Sequence, residues 1–101
     1  MAVLVELEVP GATPEKMYTV EELTEARGEA AGGPPYPGLV FLAAVQGPSG
    51  LRLVSAWRTE TEFRSVLDSM LAPDLATVGL AATDVVVSPV ASMAVPGTLR
   101  P

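Results

Sequence analysis

The segment LRLVSAWRTETEFRSVLDSML, Leu51–Leu71, decides the fold. Its first part, Leu51–Arg58, is an apolar strand that reaches Trp57, and an amphipathic helix opens two residues after that tryptophan. Thr59-Glu60-Thr61-Glu62 has the spacing of a capping box, in which the Thr hydroxyl and Glu carboxylate satisfy the first free N–H groups of a helix. Phe63, Val66, Leu67, Met70 and Leu71 then fall at i, i+3, i+4, i+7 and i+8, one continuous apolar stripe. A strand running straight into a helix with one wet face implies a sheet with helices packed on it.

Working outward, the flanking segments alternate in the same way. Ala2–Val9 reads as a strand with Val3, Val5, Leu7 and Val9 on one face and Leu4, Glu6 and Glu8 on the other. Pro10-Gly11 closes it, and Thr13 is the N-cap of a first helix with Pro14 at its first position. Met17, Val20 and Leu23 recur at helical spacing beside the acidic residues Glu21, Glu22 and Glu25, and Gly28 is the expected stop. Glu29–Gly38, rich in Gly and Pro, is a loop. Leu39–Gln46 is a second strand, apolar on both faces and therefore expected at the sheet centre, joined by the four-residue turn Gly47–Gly50 to the third. Pro73 should break or kink the second helix, leaving one further turn over Asp74–Val78 that ends at Gly79. Thr83–Val90 is the fourth strand.

The order β-α-β-β-α-β is that of an α+β, ferredoxin-like domain: a four-stranded antiparallel sheet with two helices on one face. One such domain accounts for residues 1–90, with residues 91–101 as a C-terminal tail. Apolar residues on both faces of the strands imply that the face without helices is covered, most simply by a second copy of the chain. In the tail, Met93, Val95 and Leu99 either pack on that partner or fray.

Composition narrows the chemistry. The 101 residues are 49% hydrophobic but only 5% aromatic, so the core is built from Val, Leu and Ala, and oligomerisation is expected of so thin a core. Twelve Asp and Glu against six Lys and Arg give a net charge of −6, with no basic cluster to displace counterions from nucleic acid. The longest apolar run, Leu39–Val45, is too short to span a bilayer, and Met1-Ala2-Val3 has no basic stretch of a secretory signal. The expectation is a cytoplasmic protein without membrane or nucleic-acid partners. The chain contains no Cys, His or Asn, which removes thiolate and imidazole chemistry and leaves no call for a metal or cofactor.

Several residues carry alternative readings. Trp57 is either a platform for a flat aromatic ligand or a core anchor wedging the second helix on the sheet. Tyr18, next to Met17, is either a phenolic acid reaching a pocket or a half-buried residue at the stripe's edge. Tyr36 either covers a pocket or pins its loop over Pro34 and Pro37. Arg52 and Arg58 share a face of the third strand with Val54 and Ala56, opposite Glu6 and Glu8, and serve as an anion clamp or as ion-pair partners. Arg64 and Asp68 are spaced as an i, i+4 pair.

Taken together, Val9-Pro10-Gly11, Thr13-Pro14-Glu15, Pro37-Gly38-Leu39, the junction Val54–Phe63 and Leu71-Ala72-Pro73 resemble the dimeric α+β barrel superfamily. Within it they are similar to the small antibiotic biosynthesis monooxygenase-like proteins, over roughly residues 2–90, with Trp57-x-x-Glu60-x-x-Phe63 as the most specific piece. The resemblance implies a homodimer whose two sheets form a shared barrel, with a pocket between each sheet and its own helices. It implies a small apolar, aromatic or polyketide-like ligand, lined by Tyr36, Phe41, Trp57, Phe63 and Leu67, with Tyr18 and Trp57 as the catalytic pair. Members include cofactor-independent oxygenases, cyclases and haem-degrading proteins. The haem-degrading members use an Asn, a Trp and a His, of which this chain has only Trp57. Two functions stay open: a cofactor-free monooxygenase- or cyclase-like enzyme, and a non-catalytic dimeric binding or accessory module.

Overall fold

The computed structural model describes residues 1–30, 32 and 36–94. The elements are β1 (Val3–Pro10), α1 (Pro14–Ala30), β2 (Leu39–Gln46), β3 (Gly50–Trp57), α2 (Glu60–Val66), a π-helical turn (Leu67–Leu71), α3 (Ala72–Thr77) and β4 (Thr83–Pro89). The four strands form one antiparallel sheet in the order β2-β3-β1-β4. This is the ferredoxin-like β-α-β-β-α-β arrangement, with α2, the π turn and α3 together filling the place of the second helix.

The alternation in β1 sets the two faces. Val3, Val5, Leu7 and Val9 pair with Trp57, Ser55, Leu53 and Leu51 of β3, and together they floor the core. Met17 and Val20 from α1, Phe63 and Val66 from α2, and Leu75 from α3 close it from above. Burying a side chain of this kind is worth roughly 1.5–3 kcal/mol, so this helix-covered face dominates the stability of the subunit. At the start of β3, Gly50 pairs with Pro10 so closely that a Cβ there would collide with Val9 O, which explains the glycine.

Four expectations need correction. β2 is an edge strand, with Val40, Phe41, Leu42 and Val45 all partly exposed. Apolarity on both faces reports what lies above and below a strand, whereas edge pairing is set by topology. α1 runs through Gly28 to Ala30, because Gly28 falls on its buried face with Met17, Val20 and Thr24. The cost of a mid-helix glycine, about 1 kcal/mol relative to Ala, does not stop a packed helix. Pro73 does not break the second helix. The preceding turn widens so that the Ala72 N–H reaches Leu67 O, and Pro73, which lacks an N–H, enters near the start of α3. The chain then leaves α3 through Gly79 (φ 76°), with Leu80 N donating to Leu75 O at 2.9 Å. Finally, Arg64 bonds Glu60, one turn earlier on α2, at 3.4 Å rather than Asp68, which lies within the π turn.

The sheet face away from the helices is open in the subunit. Leu4, Val54, Phe41, Val45 and Val86 lie on it with Glu6, Glu8 and Arg52, and Val86 is 54% exposed. In the tail Met93 is exposed, while Val95, Leu99 and Pro34 lie outside the described residues.

Candidate ligand cavity

The junction after β3 builds one wall of a cavity. Thr59 has extended backbone, and its Oγ1 accepts from Glu62 N at 3.1 Å, starting α2. The same hydroxyl donates to Glu62 Oε1 at 3.0 Å, and Arg58 Nη2 donates to Glu62 Oε2 at 2.7 Å. These contacts hold the Glu62 carboxyl below its ordinary pKa, the Arg58 hydrogen bond first and the Thr59 hydroxyl next. With α2 thus aimed, Phe63 meets Trp57 at 5.6 Å between ring centroids and 58° between planes, a tilted aromatic contact. The Arg64 guanidinium covers the Phe63 ring at 5.5 Å from its centroid. Gly38 (φ 86°) passes so near that a Cβ would stand 2.5 Å from Glu62 Oε2, and its carbonyl accepts from Arg58 N at 2.8 Å. The chain entering β2 is thereby tied to the β3–α2 junction, bringing Tyr36 over the cavity.

The cavity holds about 30 Å³ and is walled by Trp57, Phe63, Tyr36, Ser55, Leu42 and Leu71, with Leu7, Leu53, Met17 and Val66 around them. A pocket for a drug-sized ligand measures about 300–1,000 Å³, so in this conformation the space suits one or two waters. Its walls are apolar except for Ser55 and Tyr36. Trp57 Nε1 donates to Ser55 Oγ at 2.9 Å. Tyr36 is half-buried, and its phenol is pushed above the ordinary value of 10.0, by burial first and then by the Glu21 and Glu25 carboxylates. The Asp74 carboxylate adds to the shift.

Behind Tyr36 lies a buried polar cluster joining α1 to α3. Asp74 is 0% exposed; its Oδ2 accepts from Thr24 Oγ1 at 2.9 Å and its Oδ1 from Arg27 Nε at 2.7 Å. Thr24 is fully buried as well, whereas Arg27 is about half exposed and keeps the pair in contact with water.

Trp57, Phe63 and Tyr36 therefore share one cavity, and three other expected site residues lie elsewhere. Tyr18 is 63% exposed on α1 and does not line the cavity, because it follows Met17 by one position and the helix turns it outward. Phe41 is displaced by a bulge between Leu39 and Phe41: it pairs with Ala56 on the open face, and Leu42, opposite Ser55, takes the cavity position. Leu67 lines a separate groove with Leu80, Ala82 and Val85, since the π turn sends Leu71 to the cavity instead. Neither arginine of β3's end faces the cavity: Arg52 Nε binds Glu8 Oε1 at 2.7 Å on the open face, and Arg58 binds Glu62. Reasoning from the sequence missed Ser55, although its i, i+2 relation to Trp57 places both on one face. It also missed the Thr24–Arg27–Asp74 cluster, for which residues about 50 apart leave no local signal.

Among solved structures, SnoaB, a cofactor-independent oxygenase from Streptomyces nogalater, aligns over 95% of this chain and 96% of its own, at TM-score 0.52 and 17% identity. The two share one fold. The protein thus has the ferredoxin-like α+β fold. Rv0793 from Mycobacterium tuberculosis aligns over 95% of this chain and 98% of its own, at TM-score 0.44 and 16% identity. No family model matches the chain, and no curated protein matches it. No helix among the described residues is long and apolar enough to cross a membrane.

Proposed function

We propose that the protein is a cytoplasmic homodimer of the antibiotic biosynthesis monooxygenase-like kind, binding a small aromatic molecule against Trp57 and Phe63. The observation that carries this reading is the cavity itself: three aromatic side chains, the hydroxyls of Tyr36 and Ser55 and otherwise apolar walls, between the sheet and its helices. A benzene-sized ring needs a cavity of about 150 Å³, so binding requires the rim side chains Tyr36 and Leu71 to swing aside. Apolar Phe41, Val45 and Val86 on the open sheet face support pairing of two sheets in a barrel.

The enzymatic form of this reading is cofactor-independent oxygenase-like chemistry, with Trp57 as platform and Tyr36 as the phenolic donor in place of Tyr18. The second form is a binding or accessory module without catalysis. The small cavity volume favours that form, as does a wall that holds no carboxylate or guanidinium among the described residues, since acid–base catalysis needs positioned ionisable groups.

Native mass spectrometry of the protein purified without added ligand tests the proposal. A dimer retaining an organic mass supports it in full, and a bare dimer moves the weight to the accessory form. A monomer at micromolar concentration contradicts it.

A further inference from the structure

Ser55 and Trp57 stand side by side in the cavity wall, each 4% exposed, with the indole N–H donating to Ser55 Oγ at 2.9 Å. A serine hydroxyl has one proton to donate and two lone pairs to accept with. The indole occupies a lone pair, so the Ser55 proton stays available. Among the described residues no side-chain or backbone oxygen accepts it. Leu7, Leu42, Leu53, Phe63, Val66 and Leu71 around it offer no side-chain acceptor, and no hydrogen bond joins it to Tyr36 or Met17, which share the cavity. The hydroxyl is also polarised, because accepting a hydrogen bond from the indole strengthens the one it can give. A buried donor without an acceptor beside an aromatic platform is one half of a recognition pair.

We propose that Ser55, backed by the Trp57 indole, is a specificity-determining residue that donates to an acceptor oxygen on the bound aromatic molecule. The ligand is then an aromatic ketone or a phenolate, its ring on Trp57 and Phe63 and its oxygen at Ser55. Hydrocarbon rings of the same shape are discriminated against, since they leave the hydroxyl unpaired. Ser55 binds and orients; it transfers no atom. This inference rests on the reading of the cavity as a ligand site.

The test uses two probes that differ by one oxygen, 1-tetralone and tetralin, titrated into the intact protein. The readout is the indole N–H resonance, unique because the chain has one Trp. The wild type should bind 1-tetralone about five- to tenfold more tightly than tetralin, the ordinary worth of one hydrogen bond. Ser55→Ala should bring the two affinities within about twofold, and Ser55→Thr, which keeps the hydroxyl, should restore the preference. Equal affinities in the wild type, or a preference that survives in Ser55→Ala, overturn the role of Ser55 while leaving the cavity as a ligand site. If neither probe shifts the wild-type resonance, the ligand-site reading fails and takes the role of Ser55 with it. The dispersion of the remaining amide resonances shows whether each variant is folded, and Ser55→Thr keeps an acceptor for the indole if Ser55→Ala does not fold.

Discussion

Replacing Asp74 by Ala removes the one carboxylate buried between α1 and α3, and its cost follows from the two bonds it makes. The Thr24 hydroxyl is left fully buried without its acceptor, which costs about 1–3 kcal/mol. Arg27 is 49% exposed and finds water, so its lost pairing is discounted to below about 1 kcal/mol. The sum is about 1–4 kcal/mol, or a fall in midpoint temperature of roughly 4–32 °C at about 4–8 °C per kcal/mol for a domain of this size. Urea denaturation followed by far-ultraviolet circular dichroism measures it, with the transition run at several protein concentrations if the chain is dimeric. Thr24→Val alone leaves Asp74 Oδ2 without its donor while Oδ1 keeps Arg27, and should cost about 1–3 kcal/mol, whereas the double variant should cost about 1–2 kcal/mol less than the two singles added. A loss under about 0.5 kcal/mol for Asp74→Ala, or strict additivity in the double variant, would refute the reasoning that this cluster fastens α3 to α1.

Three further predictions concern the cap, the phenol and the open face. Thr59→Ala removes the hydroxyl that accepts from Glu62 N and should destabilise by about 1 kcal/mol in urea denaturation, whereas Thr59→Ser should be close to neutral. In a Tyr18→Phe background, absorbance at 295 nm should show Tyr36 titrating above 10.0, and lower with Glu21→Gln. A phenol whose folded pKa is raised binds its proton more tightly in the native state. Its contribution to stability is therefore complete below about pH 10 and is lost as pH rises through the folded pKa, and Tyr36→Phe should abolish that loss. Placing charges on the open sheet face with Val45→Asp and Val86→Asp should convert a dimer to monomers in size-exclusion chromatography with light scattering, whereas Glu25→Gln on α1 should not.

The fold was largely legible because its signals are local. Alternation in β1, the Thr59 cap and the Phe63–Val66 spacing each depend on neighbours within a few residues, and the structure keeps all three. Trp57 and Phe63 flank the β3–α2 junction and Tyr36 stands in the loop that Gly38 ties to it, so one cavity holds all three. What failed depends on single-residue insertions. The bulge before Phe41 exchanges it with Leu42, and the π turn exchanges Leu67 with Leu71, so correct elements carried the wrong residues to the cavity. Neither insertion changes the hydrophobic pattern by which elements are recognised. The place of β2 at the edge and the Asp74 cluster are set by contacts between distant segments, which periodicity does not encode.

The most direct test of the central claim labels the single tryptophan with 5-fluorotryptophan and follows its fluorine resonance during titration with 1-tetralone. If a small aromatic ligand sits against Trp57 and Phe63, the resonance moves saturably, and Phe63→Leu weakens the binding without unfolding the protein. A resonance that stays fixed up to the probe's solubility limit, in a protein shown to be folded, contradicts the account and leaves Trp57 as a core anchor alone.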